Sequence, residues 1–577
     1  MKFLHKIFLG LAMLGMLSCN SLELDDYLAN PNAVAPEDAD VNFVYNNIQL
    51  SMASVFNSTW GFAGGSSRMI AITAAFNYQS AFTPTGFNGI WNSSYAGLMQ
   101  DVNALIPLAE EIGLDIHIGS AKIMQAYTML VLVDMFGDVP YSEAFQGTDV
   151  ISPGRDDDAA VYAAAEALLD EAIVDLTDTE AAAPTVDIFY DGDADKWATL
   201  AKTLKLRIYQ TTRLTDGSAG DKIADLIAEG DLIDEPSEDW TFKYSNNRNN
   251  PNSRHPFYNS DYEAGDGDYQ SNYYMWLVVG EKGIEDPRRR FYFYRQEGDL
   301  SDEDVDVWSC IYSLEPDPAF RPPHYSAVDE EMPYCIADIS GYTGRDHLNG
   351  DGIPPDGPIR TLYGMYPAGG RFDANDGESI DRSDTDALGT YGALGEGFLP
   401  MWLSSFTFFA RAEAALTLGT GEDPLDLMVQ GIQASFDKVR TFESFVDGGR
   451  VVASDPATGE EITLETAFLD PLDQQEEDYL TFVTEQYNNA ANDDERLNIV
   501  MKEYYLALYG NGMEAYNMYR RTGKPENMQP GIQVEFGRFP YSAIYPNDHV
   551  TLNQNADQKD VNAENRIFWD NGSADVY

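Results

Sequence analysis

Apolar residues spaced three and four apart mark both ends of this chain as helical. Val161, Ala165, Leu168, Ala172 and Leu176 share one face while Asp158, Asp170 and Asp175 occupy others, the layout of an amphipathic helix. Trp197, Leu200, Ala201, Leu204 and Ile208 repeat it. The same reading predicts helices over about 42–56, 90–112, 120–135, 402–418, 425–442, 473–487 and 495–519. Trp197 and Trp402 begin apolar stripes and are expected in the core. From about 235 to 399 the pattern fails: Gly, Pro, Asn and Asp recur every few residues, and apolar runs shrink to pieces such as 273–279 and 291–294. A structureless loop of that length is implausible inside a compact domain. The expected fold is therefore mostly α-helical, with short strands, turns and ordered loops gathered in the middle. No self-similarity at about 34 residues is present, so the helices are not a consensus repeat array.

Ahead of the helices, Lys2 and Lys6 precede an apolar stretch over 7–17, then small Ser18 and Cys19. That is the layout of a cleaved export signal. The stretch is too short to span a bilayer, which takes about 20 residues. It resembles a lipoprotein lipobox, with Met16 where Leu is commoner, so Cys19 is expected to carry a lipid. The alternative is an ordinary signal peptide. The chain then divides into a signal peptide (1–18), an anchor and polar tether (19–40) and a single body (41–577). Within the body, a helical scaffold covers 41–234 and 400–525, a loop-rich ligand side covers 235–399, and a C-terminal extension covers 526–577.

Charge narrows the function. The chain has 36 Lys and Arg against 95 Asp and Glu, a formal net charge of −59. Nucleic-acid binding needs clustered cations and is excluded as an expectation. Anionic lipid is disfavoured too, leaving the covalent lipid as the membrane contact. With Cys19 acylated, Cys310 and Cys335 form an even pair that permits one disulfide in an oxidising compartment. Closing a loop of about 25 residues would contribute roughly 3 kcal/mol in the chain-entropy view. Two unrelated buried thiols are the alternative.

No HExxH, GxSxG, CxxC or Walker-type phosphate loop is present, so no catalytic residue is assigned. The many carboxylates offer pairs without marking any, so a polysaccharide hydrolase is unsupported but stays open. No cofactor is required. A structural calcium is the one metal left open: Asp346, Asn349, Asp351 and Asp356 surround an N-x-D-G core. It does not fit an EF-hand, because His347 and Pro358 fall where the first and twelfth ligands belong. Asx and Gly turns are the plainer account.

Aromatic residues make up 12% of the chain. Their faces stack on sugar rings while nearby polar groups pair the hydroxyls. Trp60, Phe82 and Trp91 lie among Gly, Ser, Thr and Asn, and Tyr273 and Trp276 form a second group. These five are the ligand-contact candidates, with core packing as the alternative. Lys196, Lys202, Lys205, Arg207 and Arg213 crowd one helix and are expected to pair with neighbouring carboxylates.

Four segments, in order, resemble the SusD/RagB family of nutrient-binding outer-membrane lipoproteins. They are KIMQAYTMLVLVDMFGDVPYSEAF (122–145), DKWATLAKTLKLRIYQTTR (195–213), SFTFFARAEAALTLG (405–419) and IVMKEYYLALYGNGMEAYNMYRRTGKP (499–525). The central IPPDGPIRTLYGMYPAGGRFD (353–373) is similar to a subgroup. The resemblance implies tetratricopeptide-like helix pairs carrying a loop-built ligand face, and no catalysis. It implies a cell-surface lid on a SusC-like TonB-dependent outer-membrane transporter, capturing an oligosaccharide or a peptide. It also implies that Arg520 and Arg521 form an internal ion-pair lock.

Overall fold

The computed structural model describes residues 40–296, 321–337, 340–350 and 360–572. Helices begin where a short polar side chain can accept from the first free N–H groups. Asp40 does this for Val41–Ser58, Asp193 for Ala194–Thr212, Asp423 for Pro424–Arg440 and Asn492 for Asp493–Ala507. The helices pack on their sequence neighbours. Asp115–Phe136 lies against Asp158–Leu176, which packs on Ala194–Thr212, while Ser404–Leu418 pairs with Pro424–Arg440 and rests on Asp493–Ala507. Asp115–Phe136 is long and apolar enough to cross a membrane, yet 94% of its apolar window is buried within the protein. It is a core helix.

Three elements differ from the sequence expectation. Trp402 ends a strand, Phe398–Trp402, which pairs antiparallel with Trp240–Lys243 and sets Trp402 opposite Trp240; its helix starts only at Ser404. The stretch predicted over 495–519 is two helices, because Asn511 caps a new start at Gly512–Thr522 by accepting from Glu514 N. Between 90 and 112 the helix widens into a π turn at Ser93–Met99. The middle holds short pieces as expected, including the two-residue pairing of Phe293–Tyr294 with Leu362–Tyr363.

The motif segments meet in a dry cluster around Asp134. Its carboxylate accepts from Arg207 Nη2 (2.6 Å), Asn517 Nδ2 (2.8 Å), Trp569 Nε1 (3.1 Å) and the Tyr162 hydroxyl. Arg207 Nε also donates to Glu514 (2.5 Å), and Arg520 donates to the Asp134 carbonyl (2.9 Å). Beside it Arg521 (2.8 Å), Gln210 (2.6 Å) and Arg213 (3.2 Å) donate to Glu413. Burial opposes ionisation of Glu413, but Arg521 and Arg213 overcome it and hold the carboxyl below its ordinary range. The basic helix therefore splits. Lys202 and Lys205 pair at the surface with Asp231 and Asp170, where such pairs contribute little, whereas Arg207 and Arg213 are internal. Losing one partner of a buried pair typically costs 3–5 kcal/mol, because a charge is left uncompensated.

Candidate functional site

The five aromatic candidates do not converge. Trp60 is 5% exposed; its Nε1 donates to Asp268 (3.2 Å) and to the Tyr363 hydroxyl (3.1 Å), and its ring lies 5.1 Å from Phe257. Tyr273 and Trp276 sit on the Asn272–Val279 helix, which packs on Asp493–Ala507. Tyr273 is fully buried, donating to Asn527 (3.2 Å), and Trp276 is 6% exposed. These three rings fill the seam between scaffold and loops, so in this structure they are core contacts and not a stacking platform. Aromatic enrichment here follows the demand for large apolar area where irregular loops meet helices.

Phe82 lines a cavity, whereas Trp91 is buried at 9% exposure and is linked to it through the rings of Phe87 and Phe136. Asn77 caps the short Tyr78–Ala81 helix by accepting from Ser80 N. Phe82 follows in extended backbone, and Pro84 opens the tight turn Pro84–Phe87. Trp91 then enters on Asn88–Asn92. Phe82 is half-buried against Phe62 (4.9 Å) and Phe87 (6.1 Å). Phe62 comes from Trp60–Ser66, a helix in backbone contact with Gly512–Thr522: a Cβ on Gly512 would fall 2.5 Å from Gly64 N. Trp91 stacks at 4.7 Å on Tyr95 and 4.6 Å on His549.

The opposite wall is the C-terminal extension. Tyr78 N donates to the Phe536 carbonyl, and Asp548 N to Asn88. Two cavities open along this seam and share Asn565. One, of about 50 Å³, is lined by Phe62, Gln79, Phe82, Arg538, Tyr541 and Glu564 among others. Its neighbour, of about 260 Å³, is lined by Asp138, Arg155, Asp158, Tyr545, Lys559 and Arg566 among others. A half-buried ring beside amide, guanidinium and carboxylate groups suits a ligand with apolar faces and many hydroxyls. The sequence marks 526–577 only as a C-terminal extension. The aromatic and proline alternation of FGRFPYSAIYP (536–546) was the one signal that could have flagged it.

Two family models match the sequence: "Starch-binding associating with outer membrane" over residues 31–315 and "Susd and RagB outer membrane lipoprotein" over 396–563. The chain belongs to the SusD/RagB family. Among curated proteins no relative matches it. Solved SusD-type structures share its fold. A SusD homologue from Bacteroides fragilis NCTC 9343 aligns with TM-score 0.63 at 17% identity, covering 92% of this chain and 99% of that one. A SusD/RagB family protein from Bacteroides thetaiotaomicron VPI-5482 gives 0.59 at 19%, covering 93% and 100%. A chitin-binding SusD homologue from Flavobacterium johnsoniae gives 0.58 at 17%, covering 92% and 98%.

The charged half of this SusD-family cleft is tightly wired. Lys559 Nζ donates to the carbonyls of Phe136 (2.7 Å) and Ala543 (3.0 Å) and to Ser542 Oγ (2.8 Å). Burial pushes its pKa down to about 7. Arg155 lies over the Tyr545 ring at 4.6 Å and pairs with Asp557 at 2.6 Å, which holds that carboxyl below its ordinary value. Burial raises Asp158, whose Oδ2 accepts from Phe568 N (2.8 Å).

The N-x-D-G region behaves as a packed turn where it is described. Asp346 is 1% exposed, and its two oxygens accept from Cys335 N (2.8 Å) and Gln529 Nε2 (3.0 Å); burial raises its pKa to about 6. Asn349 is also buried. Asp351 and Asp356 lie outside the described residues, as do Cys19 and Cys310. Among the described residues no three His, Cys, Asp or Glu side chains are grouped as a metal would need. Cys335 is disulfide-bonded.

Proposed function

We propose that this chain is a cell-surface lipoprotein, anchored through Cys19, that captures an oligosaccharide between residues 79–92 and 538–566. It would hand the sugar to a SusC-like TonB-dependent outer-membrane transporter. The observation that carries the reading is Phe82: a half-buried ring on a cleft wall, beside Gln79, Asn565 and Arg538, in a family whose matching model is described as starch-binding. The chitin-binding relative from Flavobacterium johnsoniae, which shares the fold, supports a glycan as ligand. The family's role in binding, together with the lack of any catalytic motif in the sequence, supports capture without turnover. Stacking would hold the ring face while amides pair hydroxyls, and the acylated tether would let the body lift from its partner. Affinity should be modest, since every hydroxyl exchanges a water partner for a protein one.

The test is retention of the mature protein on immobilised polysaccharides, with Phe82→Ala alongside. Truncation of the ring should weaken binding about tenfold, the scale of one aromatic contact, with no sugar released. Unchanged retention by Phe82→Ala would remove this cleft from the reading. Release of shortened sugars by the wild type would favour the hydrolase alternative.

A further inference from the structure

We infer that the ligand taken by this cleft is an uncharged polysaccharide; the inference rests on the glycan reading above. From Val41 to Gln100 the chain carries a single charged side chain, Arg68, although 23% of the whole chain is charged. Arg68 is fully buried and donates to the carbonyls of Gln529 (3.0 Å) and Ser66 (2.5 Å). The larger cavity adds Asp138, Arg155 and Asp158 from beyond this run, while the N-terminal wall of the smaller cavity, around Phe82, comes wholly from it. Its outward residues are neutral: Ser80, Thr83, Thr85 and Asn92 are exposed, and Gln79 and Asn88 are half-exposed. Burial does not explain that neutrality, because exposed positions elsewhere on this acidic chain are rich in Asp and Glu.

The rest of the cleft lining does carry cations, and each lies by a partner. Arg566 lies 2.6 Å from Asp570, Arg155 2.6 Å from Asp557 and Arg538 3.8 Å from Glu564, while Lys559 spends its three donors on two carbonyls and a hydroxyl. A uronate or sulfate ester would have to break one of the close pairs or compete with Glu564 for the half-exposed Arg538, after approaching a protein of net charge −59. Such a field slows the encounter and weakens the complex, most at low salt. A neutral glycan incurs neither cost, because carboxamides and hydroxyls both donate and accept.

The experiment sets the mature protein against laminarin, soluble starch and xyloglucan, and against alginate, polygalacturonate and chondroitin sulfate, by affinity electrophoresis. It is run at about 0.05 M and about 0.5 M salt, where screening lengths differ severalfold. The expected result is retention by at least one of the neutral set, changing less than about twofold with salt, and by none of the anionic set. Phe82→Ala should lose that retention. Retention by an anionic polysaccharide would overturn the inference and leave the glycan reading standing. Retention by neither set would overturn both.

Discussion

Two regions tie the same C-terminal segment to the same core helix in opposite ways. At the Asp134 lock, Trp569 donates to a fully buried carboxylate that is also paired with Arg207, and Arg520 donates to the carbonyl of the same residue. Along the cleft, two residues further on, Lys559 joins the end of that helix through the Phe136 carbonyl, and the facing wall of 79–92 is neutral and partly exposed. The lock draws mainly on the segments by which the chain resembles its family; the cleft takes Phe136, Gly137 and Asp138 from one of them, but Phe82 and the C-terminal wall come from stretches outside those segments. What identifies the protein therefore builds mainly its frame, and the proposed ligand wall is carried by loops on that frame.

The sharpest way to break this division is Arg207→Met. It leaves Asp134 and Glu514 facing one another without their shared guanidinium, and should cost about 3–5 kcal/mol of stability, read as the urea midpoint. Glycan affinity of the folded fraction should stay unchanged. A smaller loss is expected from Lys559→Met, which strands the Phe136 and Ala543 carbonyls and should cost about 1–3 kcal/mol. Here the extension should loosen first, so faster proteolysis within 526–577 should precede global unfolding. Phe82→Ala inverts the pattern: about 1.4 kcal/mol of binding is lost, the equivalent of tenfold, and less stability than in Arg207→Met. If Arg207→Met weakened binding while Phe82→Ala did not, the separation of frame from site would be wrong.

This contrast also explains how far the sequence could be read. Helix positions were legible, because an apolar stripe at 3.6 periodicity reports burial directly. Breaks such as Leu508–Asn511 were not: besides capping Glu514 N, Asn511 depends on the carbonyls of Pro400 and Met401, which lie over a hundred residues away. Of the expected ion-pair lock, Arg521 pairs with Glu413, whereas Arg520 is internal but donates to the carbonyls of Tyr541 and Asp134 and to Asn517. The ligand candidates fared unevenly for a physical reason. Trp60, Tyr273 and Trp276 have the composition of a sugar platform, but the same rings serve equally well to fill a seam, and only burial tells the two uses apart. The opposite wall, from Arg538 to Arg566, is brought to Phe82 across more than four hundred residues, and nothing local encodes that.

The finest probe of the comparison is His549, which belongs to the extension and stacks on Trp91 of the N-terminal wall at 4.6 Å. Burial, with Arg155 adding to it, lowers its pKa from 6.5 to about 4, and its Nε2 has no hydrogen-bond partner among the described residues. A base whose folded pKa is depressed contributes fully above its unfolded value, and that contribution is lost as pH falls from about 6.5 towards about 4. Acidification should therefore loosen the contact of the extension with Trp91 while the Asp134 lock holds. Comparing wild type with His549→Phe isolates the effect, since carboxylates elsewhere titrate equally in both. The variant keeps an aromatic ring on Trp91 and has nothing to protonate. The difference between their urea midpoints should grow in favour of the variant as pH drops from 6.5 to 5, with tryptophan fluorescence following it. A constant difference across that range would mean that His549 is already accommodated in its charged form.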